Sequence, residues 1–194
     1  MSLTRRAFTQ ASILTPLFAP MLHAGSAPSL KVMANGFDAP WAIGFIPEGV
    51  LVSERDGALI LLANNKRRAV ARLPKIEADG QGGLLDILVP RDFKRSRHIF
   101  MTYAKRQGRG SGTAVMRAEL DATQARLINV VTIFEMKAGS SGGRHFGSRL
   151  LEAKDGTLFV SIGDRGDADQ AQNLASHNGS IIRITKSGAV PKDN

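Results

Sequence analysis

Three short runs limit what this chain can fold into: Gly49-Val50-Leu51-Val52-Ser53, His98-Ile99-Phe100-Met101-Thr102-Tyr103 and Thr157-Leu158-Phe159-Val160-Ser161. Each follows a polar turn, is rich in β-branched and aromatic residues, and carries a hydroxyl near its end. The hydroxyls of Ser53, Thr102 and Ser161 stand 49 and 59 residues apart. From Ser29 onward hardly any stretch keeps a helical period beyond two turns, while Gly, Asp and Asn punctuate the apolar runs. The chain therefore reads as all-β. A recurrence of about 40 to 50 residues per four-stranded unit is the spacing of β-propeller blades, with insertions lengthening some repeats, and about three blades fit here.

The turn chemistry agrees. Asp56-Gly57 and Asn178-Gly179 read as two-residue hairpin turns, because Asp or Asn followed by Gly takes the positive backbone dihedrals such loops need. Leu59 to Leu62 and Ile181 to Ile184 are then the strands that leave them, and Asp155-Gly156 turns Leu150-Leu151 back onto Leu158 to Ile162. Lys105 to Gly112, with Lys, Arg and Gly among polar partners, reads as a solvated loop. It lacks the aromatic residues that base stacking needs, so no nucleic-acid partner is expected.

With no cysteine, disulfides, thiol nucleophiles and thiolate metal sites are excluded, leaving carboxylates, histidines and carbonyls for any chemistry. No run of about 18 apolar residues is uninterrupted, so no membrane span is expected; Pro16 and Pro20 break the one candidate. Thr4-Arg5-Arg6-Ala7-Phe8 matches the start of a twin-arginine export signal. A weakly apolar, acid-free stretch from Ala11 to Ala24 and the small residues Ala24-Gly25-Ser26-Ala27 follow it. The expectation is a signal peptide over residues 1–26, a blade-built domain over 27–194 and a periplasmic location. Removal of Arg5 and Arg6 would take the net charge from +9 to +7, with the remaining cations scattered.

The densest cluster of unusual residues is Gly142-Gly143-Arg144-His145-Phe146-Gly147-Ser148-Arg149, followed 19 residues after the histidine by Asp164 in Ile162-Gly163-Asp164-Arg165-Gly166-Asp167. If Leu150-Leu151 and Leu158 to Ile162 pair around the Asp155-Gly156 turn, His145 and Asp164 meet at one end of that hairpin. A carboxylate there would orient the imidazole through one ring nitrogen and leave the other to take a proton from a substrate hydroxyl. Spacing alone also accommodates a turn histidine and a turn aspartate without function. A second cluster, Gly80-Gln81-Gly82-Gly83, places an amide that donates and accepts just before an apolar strand. Asp164, Asp167 and Asp169 share one loop, but their spacing fits no EF-hand, so turn and hydrogen-bonding roles are expected of them.

Taken in order, Pro40-Trp41-Ala42-Ile43-Gly44-Phe45, Ser53-Glu54-Arg55-Asp56-Gly57, Gly83-Leu84-Leu85-Asp86, the Gly142 to Leu150 cluster, Ile162 to Asp167 and His177-Asn178-Gly179-Ser180-Ile181-Ile182-Arg183 resemble the glucose/sorbosone dehydrogenase family, nearest its soluble aldose sugar dehydrogenases. The resemblance runs from about Val32 to Asn194. It implies a six-bladed propeller that binds pyrroloquinoline quinone with calcium and oxidises an aldose at its anomeric carbon to the lactone, passing electrons to an external acceptor. It places His145 as the base, Asp164 as the carboxylate that holds it, and Gln81, Arg144 and Asp169 on the substrate side. The family's cationic cofactor ligands and calcium ligands are expected beyond Asn194, and no metal ligand is assigned within the chain.

Val89-Pro90-Arg91-Asp92-Phe93 and Glu152-Ala153-Lys154-Asp155 depart from the family's usual loop sequences. Arg144 stands where glucose-oxidising relatives carry a carboxylate, so the resemblance does not imply glucose as substrate. With about half the expected blades, each end of the arc would leave an apolar face in water. The expectation is the N-terminal part of a longer protein, or a chain that pairs with a second half or a second copy. The competing reading is a non-enzymatic exported module that binds sugar or a protein partner.

Overall fold

The computed structural model describes residues 29–137 and 139–194; the expected signal peptide lies outside the described residues. Residues 29–35 hold no strand or helix, and the compact unit is Gly36–Asn194. Its first sheet runs in chain order through β1 (Pro40–Ile46), β2 (Gly49–Glu54), β3 (Ala58–Ala63) and β4 (Lys66–Ala69). The second repeats the plan with β5 (Leu84–Leu88), β6 (His98–Gln107), β7 (Gly110–Asp121) and β8 (Arg126–Glu135). The third comprises β9 (Gly147–Glu152), β10 (Leu158–Ile162) and β11 (Ile181–Ile184), with β10 in the centre. All pairings within the sheets are antiparallel. The one α-helical element among the described residues is a single turn at Phe93–Ser96, so the expected all-β, three-blade plan holds.

Two apolar layers join the sheets. One packs Ala42, Leu51, Leu59 and Leu61 of the first sheet against Leu84, Ile87, Met101 and Met116 of the second. The other packs Phe100 and Val115, from the opposite face of the second sheet, against Leu150, Leu158, Val160 and Ile184 of the third. Because both its faces are covered, the middle sheet carries near-continuous buried runs: β6 opens on six largely buried residues and β7 holds six in succession. Burying each such Leu, Ile, Phe or Met stabilises the fold by roughly 1.5–3 kcal/mol relative to exposure.

The three aligned hydroxyls mark one repeated joint. Ser53, Thr102 and Ser161 lie on the second strand of their sheets, and each accepts an N–H from the first strand of its own sheet: Ala42 at 3.0 Å, Asp86 at 2.9 Å and Arg149 at 3.0 Å. Ser53 Oγ then donates to Leu85 O on the next sheet at 2.6 Å, and Thr102 Oγ1 to Ser148 O on the sheet after that at 2.7 Å. At each joint the pairing of first and second strand slips, between Pro40 and Ala42, Leu84 and Ile87, and Val160 and Ile162. A bulge frees a main-chain group from its own ladder, and here the freed carbonyl receives the neighbouring blade's hydroxyl.

Three local readings change. Asp56-Gly57 belongs to a three-residue loop, since Glu54 pairs with Ala58 and only Gly57 has a positive φ, +105°. Asn178-Gly179 is a turn at the end of a long connection rather than a hairpin between successive residues, because β11 pairs back on β10 across residues 163–180. Lys105 to Gly112 is the tip of a hairpin in which Lys105 pairs with Gly112 and Gln107 with Gly110. Its polar composition reflects exposure of the tip; the ladder continues through it because backbone pairing does not depend on side-chain polarity.

Candidate active site

The site loop, residues 142–148, leads into β9 across the edge of the second sheet, and alternate carbonyls along it are pinned from outside. Arg165 donates to Arg144 O, Thr113 Oγ1 to Phe146 O at 2.8 Å and Thr102 Oγ1 to Ser148 O at 2.7 Å. Gln81 Oε1 accepts the His145 N–H at 2.8 Å, and the Gln81 N–H donates to Gly143 O at 2.7 Å. Held this way, His145 adopts φ +52°, a left-handed conformation that a non-glycine residue keeps only when its surroundings over-determine it. Two glycines let the strands come this close. A Cβ on Gly163 would lie 1.9 Å from His145 O, and one on Gly80 2.3 Å from Gly143 O, so neither position admits a side chain.

His145 Nδ1 lies 2.6 Å from Asp164 Oδ1. The same oxygen accepts the Gly166 N–H at 2.8 Å, and the Asp164 carbonyl accepts from Asn178 Nδ2 at 3.0 Å, which fixes the loop that carries it. The Gly166 N–H first, and then His145, hold the Asp164 carboxyl below its ordinary range. An ionised carboxylate can only accept, so Nδ1 carries the hydrogen, and in the neutral ring Nε2 then holds the lone pair.

His145 borders a cavity of about 300 Å³ that it shares with Trp41, Arg55, Gln81, Leu85, Phe146 and Gly147. Its walls thus come from all three sheets or the loops that lead into them. Trp41 also stacks under the Arg149 guanidinium, 4.9 Å from the ring centroid. The buried Arg165 lies 3.5 Å over the Phe146 ring and donates to Ser111 O at 3.2 Å. Burial lowers its pKa, opposed by the neighbouring Asp164 charge.

The structure brings three expected site residues together: His145, Asp164 and Gln81. Arg144 is exposed, with its guanidinium folded over Gly166 and its charge felt by Asp164, and it does not border the cavity. Asp169 sits exposed on the 3-10 turn Ala168–Gln172, also away from the cavity walls. Trp41, Arg55, Leu85 and Arg165 were not singled out from sequence. Their only signal was membership of the Pro40-Trp41, Glu54-Arg55, Leu84-Leu85 and Asp164-Arg165 motifs.

Comparison with known proteins agrees with the fold. The family model for glucose/sorbosone dehydrogenase matches residues 37–194. Aldose sugar dehydrogenase YliI of Escherichia coli (strain K12) is 33% identical over 193 residues, which cover 95% of this chain and 52% of that protein. Quinoprotein glucose dehydrogenase B of Acinetobacter calcoaceticus is 25% identical over 196 residues, covering 84% of this chain and 40% of its own length. The solved structure of a glucose dehydrogenase superposes with a TM-score of 0.82 at 36% identity, over 86% of this chain and 50% of that one. The chain thus spans about half the length of the relatives it matches. Its repeated blades, its ordered motifs and these matches together establish that the chain belongs to the glucose/sorbosone dehydrogenase family.

Proposed function

We propose that this chain forms part of a periplasmic, quinone-dependent aldose dehydrogenase in which His145 is the general base. The observation that carries the reading is the 2.6 Å contact between His145 Nδ1 and Asp164 at the wall of a cavity wide enough for a small ring. Nε2 takes the proton of the anomeric hydroxyl, and the adjacent carboxylate stabilises the imidazolium that results. Gln81 spends its carbonyl oxygen on the His145 N–H, which leaves its Nε2 hydrogens for sugar oxygens.

The cavity residues fit a planar anionic quinone: Trp41 offers aromatic surface and Arg55 a guanidinium for a carboxylate. When bound, pyrroloquinoline quinone supplies the acceptor for the hydride from the anomeric carbon, a role no side chain can fill. Loss of that hydride and of the hydroxyl proton converts the aldose to its lactone, and an external acceptor takes the two electrons onward. Among the described residues no group of three or more His, Asp or Glu is placed to hold a metal ion, so no calcium ligand is assigned to them.

The test is dye reduction by the chain incubated with the quinone, calcium and a panel of aldoses. Turnover that His145→Ala abolishes supports the reading, and turnover unchanged by that substitution removes His145 from the base role. Sugar binding without dye reduction at saturating quinone supports instead a non-enzymatic sugar-binding module.

A further inference from the structure

Arg165 is a buried cation that no step of the proposed reaction employs. It is 2% exposed and forms no ion pair with a carboxylate among the described residues. Its guanidinium instead meets two main-chain carbonyls, Arg144 O and Ser111 O, and the Phe146 ring, while its Nε finds no acceptor among the described residues. A guanidinium buried without a carboxylate opposes folding, and an apolar side chain of similar volume would fill the same space more favourably. Stability therefore gives no reason for an arginine here. The placement of its bonds does. Arg144 O and the His145 N–H are the two polar groups of one peptide unit: Arg165 donates to the first, and Gln81 Oε1 accepts the second at 2.8 Å. A planar peptide held at both ends cannot rotate, so ψ of Arg144 and φ of His145 are fixed together. That φ is +52°, a value that a histidine keeps only under such constraint. Ser111 lies on β7, paired with Arg106 of β6, so the bridge from Ser111 O through the guanidinium to Arg144 O ties this peptide to the second sheet.

We propose that Arg165 is a positioning residue for the His145 base: it locks the Arg144–His145 peptide so that the imidazole stands against Asp164. The proposal rests on the reading of His145 as the base. Asp164 and Arg165 are successive residues of the loop after β10, and they divide the task. Asp164 holds the imidazole at Nδ1, and Arg165 holds the peptide that leads into the residue carrying it. Without the bridge this peptide can flip to relieve the left-handed φ, which carries the ring off the carboxylate. A misplacement of about 1 Å costs on the order of 10²-fold in rate. Arg165 does not border the cavity, so its loss removes no contact to a bound sugar.

Amide hydrogen exchange in the full 194-residue chain, without quinone or sugar, tests the lock. Arg165→Met keeps the volume and removes the charge and its donors. It is expected to preserve the melting temperature, to quicken exchange of the His145 N–H at least about 10-fold and to leave the amides of β6 and β7 protected. Should the methionine variant not fold, Arg165→Lys decides in its place. It keeps the charge, but one ammonium does not span both carbonyls, so the same faster exchange is expected. In the quinone-loaded chain either variant should lower kcat about 10²-fold with KM changed by less than about two-fold. Unchanged exchange at His145 in a folded variant, or unchanged kcat where that exchange has quickened, would overturn the proposal. Failure of the base reading shows differently, as turnover that His145→Ala leaves intact.

Discussion

Asp86 and Asp164 each face a basic side chain across less than 3 Å, yet their environments push them in opposite directions. Asp86, on β5, is 3% exposed and accepts from Leu150 N at 2.7 Å, Arg149 at 2.8 Å and Ile87 N at 3.0 Å. Burial raises its pKa in spite of these three donors. Asp164, in a partly exposed loop, is lowered by the Gly166 N–H and by His145. The buried carboxylate ties the second sheet to the third, a structural task in which desolvation opposes its charge. The loop carboxylate stays ionised beside an imidazole with a free nitrogen, which suits proton transfer. A close pairing of an acid with a basic side chain is therefore no mark of catalysis by itself; its solvent exposure and the cavity beside it make the difference.

Substituting each acid in turn should separate the two roles. For Asp164→Asn, the neutral amide no longer stabilises the imidazolium, and turnover of the quinone-loaded protein is expected to fall about 10²–10⁴-fold with little change in melting temperature. Asp86→Ala should do the reverse. It strands the Leu150 N–H in the core and is expected to cost about 2–4 kcal/mol in urea unfolding, with activity per folded molecule retained. Equal effects of both variants on turnover would erase the distinction.

Smaller effects test the electrostatics around the same loops. His177 accepts the Lys137 N–H at 2.9 Å and packs beside Phe134, and burial, with the Lys137 charge, lowers its pKa. The unfolded chain therefore protonates first as pH drops below about 6.5, and this contribution to stability, present at higher pH, is lost as pH falls through the lower folded value. His177→Asn keeps an acceptor and should flatten that part of a melting-temperature profile. Smallest is Asp155, at the β9–β10 hairpin. The Thr157 N–H, the Thr157 hydroxyl and Arg183 lower its pKa from 3.8 to about 2. Its contribution is present above pH 3.8 and lost as pH falls toward 2, and Asp155→Asn should remove that step from an acid titration.

Much of the architecture was legible in the sequence. Strand positions followed from β-branched runs between Gly and Asp punctuation, and the recurring hydroxyls fell where the second strand of each sheet is bonded to the first. What these hydroxyls bind was not legible, since Ser53 to Leu85 and Thr102 to Ser148 are contacts between sheets that no local pattern encodes. The pairing of His145 with Asp164 could be read because a single hairpin brings both to one end. Trp41 and Arg55 join the same cavity from the first sheet, about 90 to 100 residues earlier in the chain, so only the stacking of blades reveals them. Asn178-Gly179 misled because its local chemistry is that of a hairpin, while the long preceding connection, held by the bond from Asn178 to the Asp164 carbonyl, serves the site instead.

The central claim is that Asp164 fixes His145 with Nδ1 protonated and Nε2 able to accept a proton. Nitrogen-15 NMR of the imidazole rings reads this directly, and with only four histidines in the chain His145 can be assigned by its loss in His145→Ala. The expected spectrum at pH 8 shows hydrogen on Nδ1 and a lone pair on Nε2, with that preference lost in Asp164→Asn. A neutral ring carrying its hydrogen on Nε2, or a tautomer indifferent to Asp164→Asn, would contradict the account.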